Sequence, residues 1–391
     1  MVVVGGGYAG VMAANRVTQR DDVDVTLVND RRMFVERIRL HQRLVSSGDA
    51  VVEYAAVLAP RVRLVVGTVD RLDVPGCRVL LTDGDDLAYD QLVYAVGSGR
   101  ATPQVPGADE HAYALTSLEE SDRLRSTLDA LAPGAPVVVV GAGPSGIETA
   151  AELAETGRWS VTVACGAEVG PSLHPDGRRV VADRLRALGV RVLDGPGSRV
   201  SLVVADRVAL ADGRELVSAA TVWTAGFGVP DLARRSGLST DAAGRLLTDE
   251  TLTSVDDPRV IGAGDAVAPS GTPFRMSCQA AGQLGTQAAD TVLAHLDDRA
   301  PRTVHVGFVG QCLSLGRHAG LVQLSHRDDT VRRTHVRGAA AARLKEAICW
   351  GTVAQLRFEA RRPGSFAAPG WFADPHRAGT VAAAAAVEPV R

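Results

Sequence analysis

Two short segments of the chain, VVVGGGYAG from Val2 and PVVVVGAGPSG from Pro136, carry glycines at one spacing. Gly5, Gly7 and Gly10 overlay Gly141, Gly143 and Gly146, and the match continues with Ala14 on Ala150 and Val25–Leu27 on Val161–Val163. In each copy a β-rich run enters the glycines, a helix-like stretch leaves them, and a second β-rich run follows. This spacing suits the holding of a pyrophosphate. The first glycine permits a tight turn, the second lets backbone approach the anion, and the third lets helix and strand pack closely. Free N–H groups at the helix start then face the negative charge. One such motif carries little weight among 41 glycines, but two in the same strand–turn–helix setting predict two dinucleotide sites.

A carboxylate about 20 residues downstream commonly bonds a ribose hydroxyl. The first copy has Asn29 and Asp30 there, and either could bond the ribose of an adenosine. The second has Cys165 and Gly166, which supply no acid, so neither NAD nor NADP is favoured; Arg178 and Arg179 lie nearby in sequence. Between the copies, AYDQLVYAVGSG (88–99) reads as a strand running into Gly97, where backbone can lie against a cofactor. The second half echoes it in RVALADGRELVSAATVWTAG (207–226), ending at Gly226. Later, DDPRVIGAGDAVA (256–268) carries a short strand into Gly264 and Asp265. An aspartate just past a buried strand suits a sugar hydroxyl.

The elements that must position these residues alternate β and α, which predicts an α/β fold with two Rossmann-like dinucleotide-binding domains and a smaller C-terminal α+β region. The expected division is residues 1–110 with 250–302, then 111–249, then 303–362. The tail 363–391, rich in Gly, Pro and Ala, is expected to be partly disordered. Strands are expected at Arg61–Leu72 and Arg78–Leu81, and helices at 175–188, Cys278–Leu296 and 339–362. A length of 391 residues exceeds what one core usually serves. A net charge of -3 and the lack of an aromatic–basic platform argue against nucleic acid as a partner. Five scattered cysteines and nine histidines without ligand spacing predict no metal site. No basic leader and no apolar run of roughly 20 residues point to a cytoplasmic, thiol-reduced protein.

In this order VVVGGGYAG, YDQLVYAVGS, VVVVGAGPSGIETAAEL, WTAG and VIGAGDAV resemble the pyridine-nucleotide-dependent FAD oxidoreductases, flavoproteins with two dinucleotide-binding domains of the glutathione-reductase kind. Within that family the chain looks most like type II NADH:quinone dehydrogenases and their soluble and apoptosis-inducing-factor-like relatives. The resemblance implies FAD on Gly5, Gly7, Tyr8, Ala9 and Gly10, with Asn29 or Asp30 at its ribose. Arg37, Val69, Ala95, Gly97, Gly264 and Asp265 would complete that site. Gly141, Gly143, Gly146 and Gly226 would hold NAD(P)H. Glu148 matches a glutamate near the nicotinamide, although an acid in a first helical turn also suits the helix dipole. Gln279 and Gln283, four apart on one helix face, match an AQxAxQ element beside the flavin and could donate to an acceptor's carbonyl oxygen.

The departures are specific. Val96 stands where a threonine is usual, and no redox-active cysteine pair follows the first motif. A lysine often found near the flavin has no evident counterpart, since the chain's single lysine is Lys345. Arg37, Arg39 and His41 fall where that segment passes the flavin ring, or on a plain exposed surface. The implied activity is hydride transfer from NAD(P)H to FAD and electron transfer to a quinone or similar small conjugated acceptor. The alternatives are a flavoenzyme of the same fold acting on a specialised metabolite in a biosynthetic pathway, and an NADH-responsive interaction flavoprotein. The basic, partly apolar helix 339–362 leaves open a peripheral contact with the inner face of a membrane, packing against the body, or a homodimer contact.

Overall fold

The computed structural model describes residues 1–367 and 370–387. Two five-stranded sheets form its centre. The first runs, in spatial order, Val260–Gly262, Leu92–Tyr94, Val2–Val4, Val25–Asn29 and Val62–Val66, all parallel. The second runs Ala112–Ala114, Ala220–Trp223, Pro136–Val140, Ser160–Ala164 and Arg191–Leu193, again all parallel. Parallel strands need crossovers that cover both faces, and Val2–Val4 and Val137–Val140 are buried accordingly.

The internal repeat extends past the glycines. Each sheet carries a three-stranded antiparallel annex, Val69–Asp73 with Arg78–Leu81 and Asp86–Ala88 on the first, and Val200–Val204 with Arg207–Leu210 and Glu215–Val217 on the second. The run expected as one strand over Arg61–Leu72 divides at Gly67, whose N–H donates to the Asn29 carbonyl at 2.9 Å. Gly99–Arg100 pairs antiparallel with Phe227–Gly228. Because each pair lies just past a central strand, this ribbon ties together the C-terminal ends of the two sheets.

A third, antiparallel sheet of Gly310–Ser314, Gly320–Ser325 and Val331–Arg337 leads into the helix Gly338–Arg361. That helix buries Ala341, Lys345, Cys349, Val353 and Leu356, spaced as one face. Part of the tail is anchored to the body. Arg377, at the start of the helix Arg377–Val387, pairs with Glu250 at 2.8 Å and donates to the carbonyls of Pro269 and Thr272. The expectation of partial disorder at 368–369 and 388–391 falls outside the described residues. No described helix is long and apolar enough to cross a membrane.

The helix Cys278–Leu296 packs on Tyr8–Val17, and Gly285 meets Ala9 there. A Cβ on Gly285 would stand 2.3 Å from the Ala9 carbonyl oxygen, a contact with backbone that cannot swing aside. Gly285→Val should therefore lower the unfolding free energy by about 1–3 kcal/mol, read as a shifted urea midpoint at unchanged slope.

Candidate functional site

The two glycine turns have one geometry. Gly5 and Gly141 take φ of +104° and +101°, which a side chain rarely adopts. A Cβ on Gly10 or Gly146 would fall 1.9 or 2.0 Å from the carbonyl oxygen of Gly5 or Gly141, so each helix sits directly on its turn. Gly7 and Gly143 differ in kind. A Cβ there meets nothing within 4 Å, and neither glycine, as N-cap, makes a side-chain cap. The space beside Gly7 and Gly143, at each helix start, is thus open, as an anion cradle requires.

Asn29 is already engaged in shaping the first cradle. Its Oδ1 accepts from the Gly6 N–H at 2.9 Å and its Nδ2 donates to the Arg31 carbonyl. Tyr54 supports the same loop from its hydroxyl to the Gly6 carbonyl. Asp30, paired with Arg31 at 2.7 Å, is the carboxylate beside it. The Tyr8 ring makes an edge-on contact with Phe34, with centroids 5.1 Å apart. Val69 begins the annex strand two residues past Gly67. Ala95 backs the turn: a Cβ on Gly5 would lie 2.3 Å from its carbonyl oxygen.

Beyond the first cradle, Arg37, Ser98 and Asp265 form a relay. Arg37 Nη1 donates to the Ser98 carbonyl at 2.6 Å, and Ser98 Oγ donates to Asp265 Oδ2 at 2.7 Å. The Ser277 N–H donates to Asp265 Oδ1 at 3.2 Å. Burial pushes Asp265 up, against Ser98 and Arg37, and pushes Arg37 down, against Asp265. Gly97 and Gly264 flank the relay with φ of +70° and +78°. Ser98 and Ser277 were not singled out in the sequence; for Ser98, a serine directly after Gly97 was the available signal.

From the second cradle, Glu148 projects into the contact between the three sheets' attached helices. Its Oε1 accepts from Lys345 Nζ at 3.0 Å and from the Ser314 N–H at 2.9 Å. Its Oε2 lies 3.9 Å from His41 Nδ1. The chain's sole lysine, distant in sequence, is thus delivered by the C-terminal helix to the helix of the second cradle. Burial works against the charge on Glu148, but Lys345 and then His41 outweigh it and hold the carboxyl below its ordinary range. Burial opposes Lys345 likewise, and Glu148 with Cys312 and Cys349 leaves it above its ordinary value.

His41 is 3% exposed and its Nε2 has no hydrogen-bond partner among the described residues. Burial pushes it down to about 4, with Glu148 opposing. A histidine whose folded pKa lies below its unfolded value favours folding in the neutral form, so this stability is present above pH 6.5 and is lost as pH falls towards 4. Glu152, raised by its burial, opposes part of that loss. The expected drop is about 1–3 kcal/mol, seen by urea denaturation across that window and flattened in His41→Gln. Arg39, in turn, is bound to Glu36 at 3.2 Å and Glu346 at 2.8 Å, fastening the C-terminal helix.

The docking face expected from Gln279 and Gln283 is corrected for Gln283. Gln283 is 4% exposed, and its amide pairs with residue 307, Nε2 to the carbonyl at 3.0 Å and Oε1 from the N–H at 3.1 Å, while Nε2 also donates to the Gln279 carbonyl at 3.0 Å. Gln287 does the same with residue 305. Four residues of helix rise about 6 Å and two residues of extended chain about 6.6 Å. The two amides therefore match alternate peptides of the 305–307 segment. Gln283 is a clamp, and the polar face reduces to the half-buried Gln279.

Comparison with known proteins agrees with this geometry. The profile described as pyridine nucleotide-disulphide oxidoreductase matches residues 1–289. The chain belongs to that family. An NADH dehydrogenase-like protein of Mycobacterium tuberculosis is 31% identical over 379 residues, covering 89% of this chain and 92% of the relative. A type II NADH:quinone oxidoreductase of the same organism is 28% identical, covering 77% and 73%. Among solved structures, the sulfide:quinone oxidoreductase of Aquifex aeolicus superposes with a TM-score of 0.78 at 17% identity, covering 93% and 92%. The last likeness shows the fold alone. Membership supports an FAD- and NAD(P)-dependent oxidoreductase. The five cysteines are all free thiols.

Proposed function

We propose that this family member binds FAD in the first cradle and NAD(P)H in the second, within two Rossmann-like domains divided as 1–110 with 250–302 and 111–249, and reduces a quinone or similar conjugated small molecule. One observation carries the reading: the two equivalent, uncapped glycine turns lie at sheet ends that the ribbon Gly99–Arg100 to Phe227–Gly228 joins. The residues present fit both groups. Gly7 and Gly143 leave room for a pyrophosphate, and each Asp265 oxygen, engaged once, has a lone pair left for a sugar hydroxyl. Bound FAD supplies the chemistry, taking a hydride from a reduced nicotinamide and returning two electrons to an acceptor.

The chain's own task is orientation and polarity. Gly5, Gly7 and Gly10 with Asp30 hold one end of the flavin nucleotide. Arg37, Ser98 and Asp265 fix the middle. Gly141, Gly143, Gly146 and Gly226 hold the nicotinamide nucleotide, and Glu148 is kept ionised beside it by Lys345. Leu344, Ile348, Trp350 and Phe358 are exposed along the C-terminal helix among Arg343, Arg361 and Arg362. This supports contact with an anionic membrane surface, where quinones dissolve. Anaerobic mixing with NADH or NADPH, followed by a panel of quinones, tests the reading. Flavin bleaching with rapid return of colour on quinone addition is expected. Bleaching without faster return under any quinone would overturn the acceptor.

A further inference from the structure

We infer that the nicotinamide nucleotide preferred by this chain carries a 2′-phosphate, and that Arg199 reads it; the inference rests on the assignment of the second cradle to NAD(P)H. The strand Ser160–Ala164 lies next to the cradle strand Pro136–Val140, and its end is where an acid would bond a free 2′-hydroxyl. There the chain has Cys165, a thiol pushed up to about 12 by burial, and Gly166, whose φ of +73° suits a residue without a side chain. Neither accepts from a hydroxyl as a carboxylate does.

The basic residues nearby in sequence are occupied. Arg178 donates to the carbonyls of Gly170, Pro171 and Leu173, closing its own turn, and Arg179 pairs with Asp176 at 2.9 Å. Arg199 comes from further along the chain and is different. Its stem lies over Gly166: a Cβ on that glycine would be 3.7 Å from Arg199 Cα and 4.0 Å from its Cγ. The turn that carries it is pinned to the same loop, since Ser198 Oγ accepts from the Gly166 N–H at 3.0 Å and donates to the Gly195 carbonyl. The Arg199 side chain is exposed and makes no hydrogen bond or ion pair among the described residues.

Asp194 is the opposing charge. It ends the edge strand Arg191–Leu193, one strand further from the cradle, and does not pair with Arg199. The arrangement therefore places a free guanidinium, fixed at its root, beside a strand end that lacks an acid. A guanidinium fork matches a phosphate and gains little from a lone hydroxyl.

Titration calorimetry of the FAD-loaded protein with NADP+ and with NAD+ tests this without turnover. NADP+ should bind ~10- to 100-fold more tightly. Arg199→Ala, with flavin absorbance retained, should erase that difference while leaving NAD+ unchanged, and Arg199→Lys should restore part of it. Raising salt should weaken NADP+ more than NAD+. Equal or tighter binding of NAD+ by the unaltered protein overturns the inference alone, as does a preference that survives Arg199→Ala. Binding of neither nucleotide overturns it together with the assignment of the second cradle.

Discussion

Lys345→Met is expected to lower the unfolding free energy by about 3–5 kcal/mol, the cost of leaving a buried charge without its partner. Lys345 and Glu148 are 5% and 7% exposed and meet at 3.0 Å. Removing the ammonium leaves Glu148 with the Ser314 N–H and a neutral His41. Neither balances a carboxylate in that setting. Lys345→Met with Glu148→Gln removes both charges and should recover much of the loss, because a neutral amide can still accept from Ser314. Urea denaturation at pH 8 of the two single variants and the double variant gives the coupling. A single-variant loss below about 1 kcal/mol would show that water reaches the pair.

The second large effect separates the cradles. Gly7→Glu should weaken FAD binding by ~100-fold or more, since a carboxylate would stand in the anion's place in front of the uncapped helix Tyr8–Val17. Gly143→Glu should do the same to the nicotinamide nucleotide and leave FAD in place. Both positions open onto space free of other atoms within 4 Å, so the fold should tolerate either change. Flavin content after gel filtration, with nucleotide titration of the yellow variant, gives the readout. Loss of flavin from Gly143→Glu with Gly7→Glu still yellow would reverse the two assignments.

The glycine turns were legible because their constraint is local. A tight turn, a close approach and a helix packed on its own turn each restrict one position, and Gly5, Gly7 and Gly10 record them in a fixed order. The helix Cys278–Leu296 forms as expected, and Ser277, not singled out from the sequence, caps it by accepting from the Ala280 N–H. Gln283 misled because spacing shows which residues share a face and not what covers that face. Here Gly307 takes both ends of its amide, the Gln279 carbonyl shares its Nε2, and Gln287 holds residue 305 in the same way. Lys345 was hidden by distance along the chain, although its position in the ladder Ala341, Lys345, Cys349, Val353 already put a charge on a buried stripe. Such a charge needs a partner, and sequence alone did not show that the partner was Glu148. Arg199 was missed because the residue that stands beside Gly166 follows it by a whole helix and strand.

The chain's sole lysine has a consequence for chemical labelling. With every other basic side chain an arginine or histidine, the only side-chain primary amine is sealed behind the helix Gly338–Arg361. An acylating reagent will find position 345 only when that helix lifts. The rate of its modification is therefore a clock on the opening of the C-terminal cover, written into the composition of the protein.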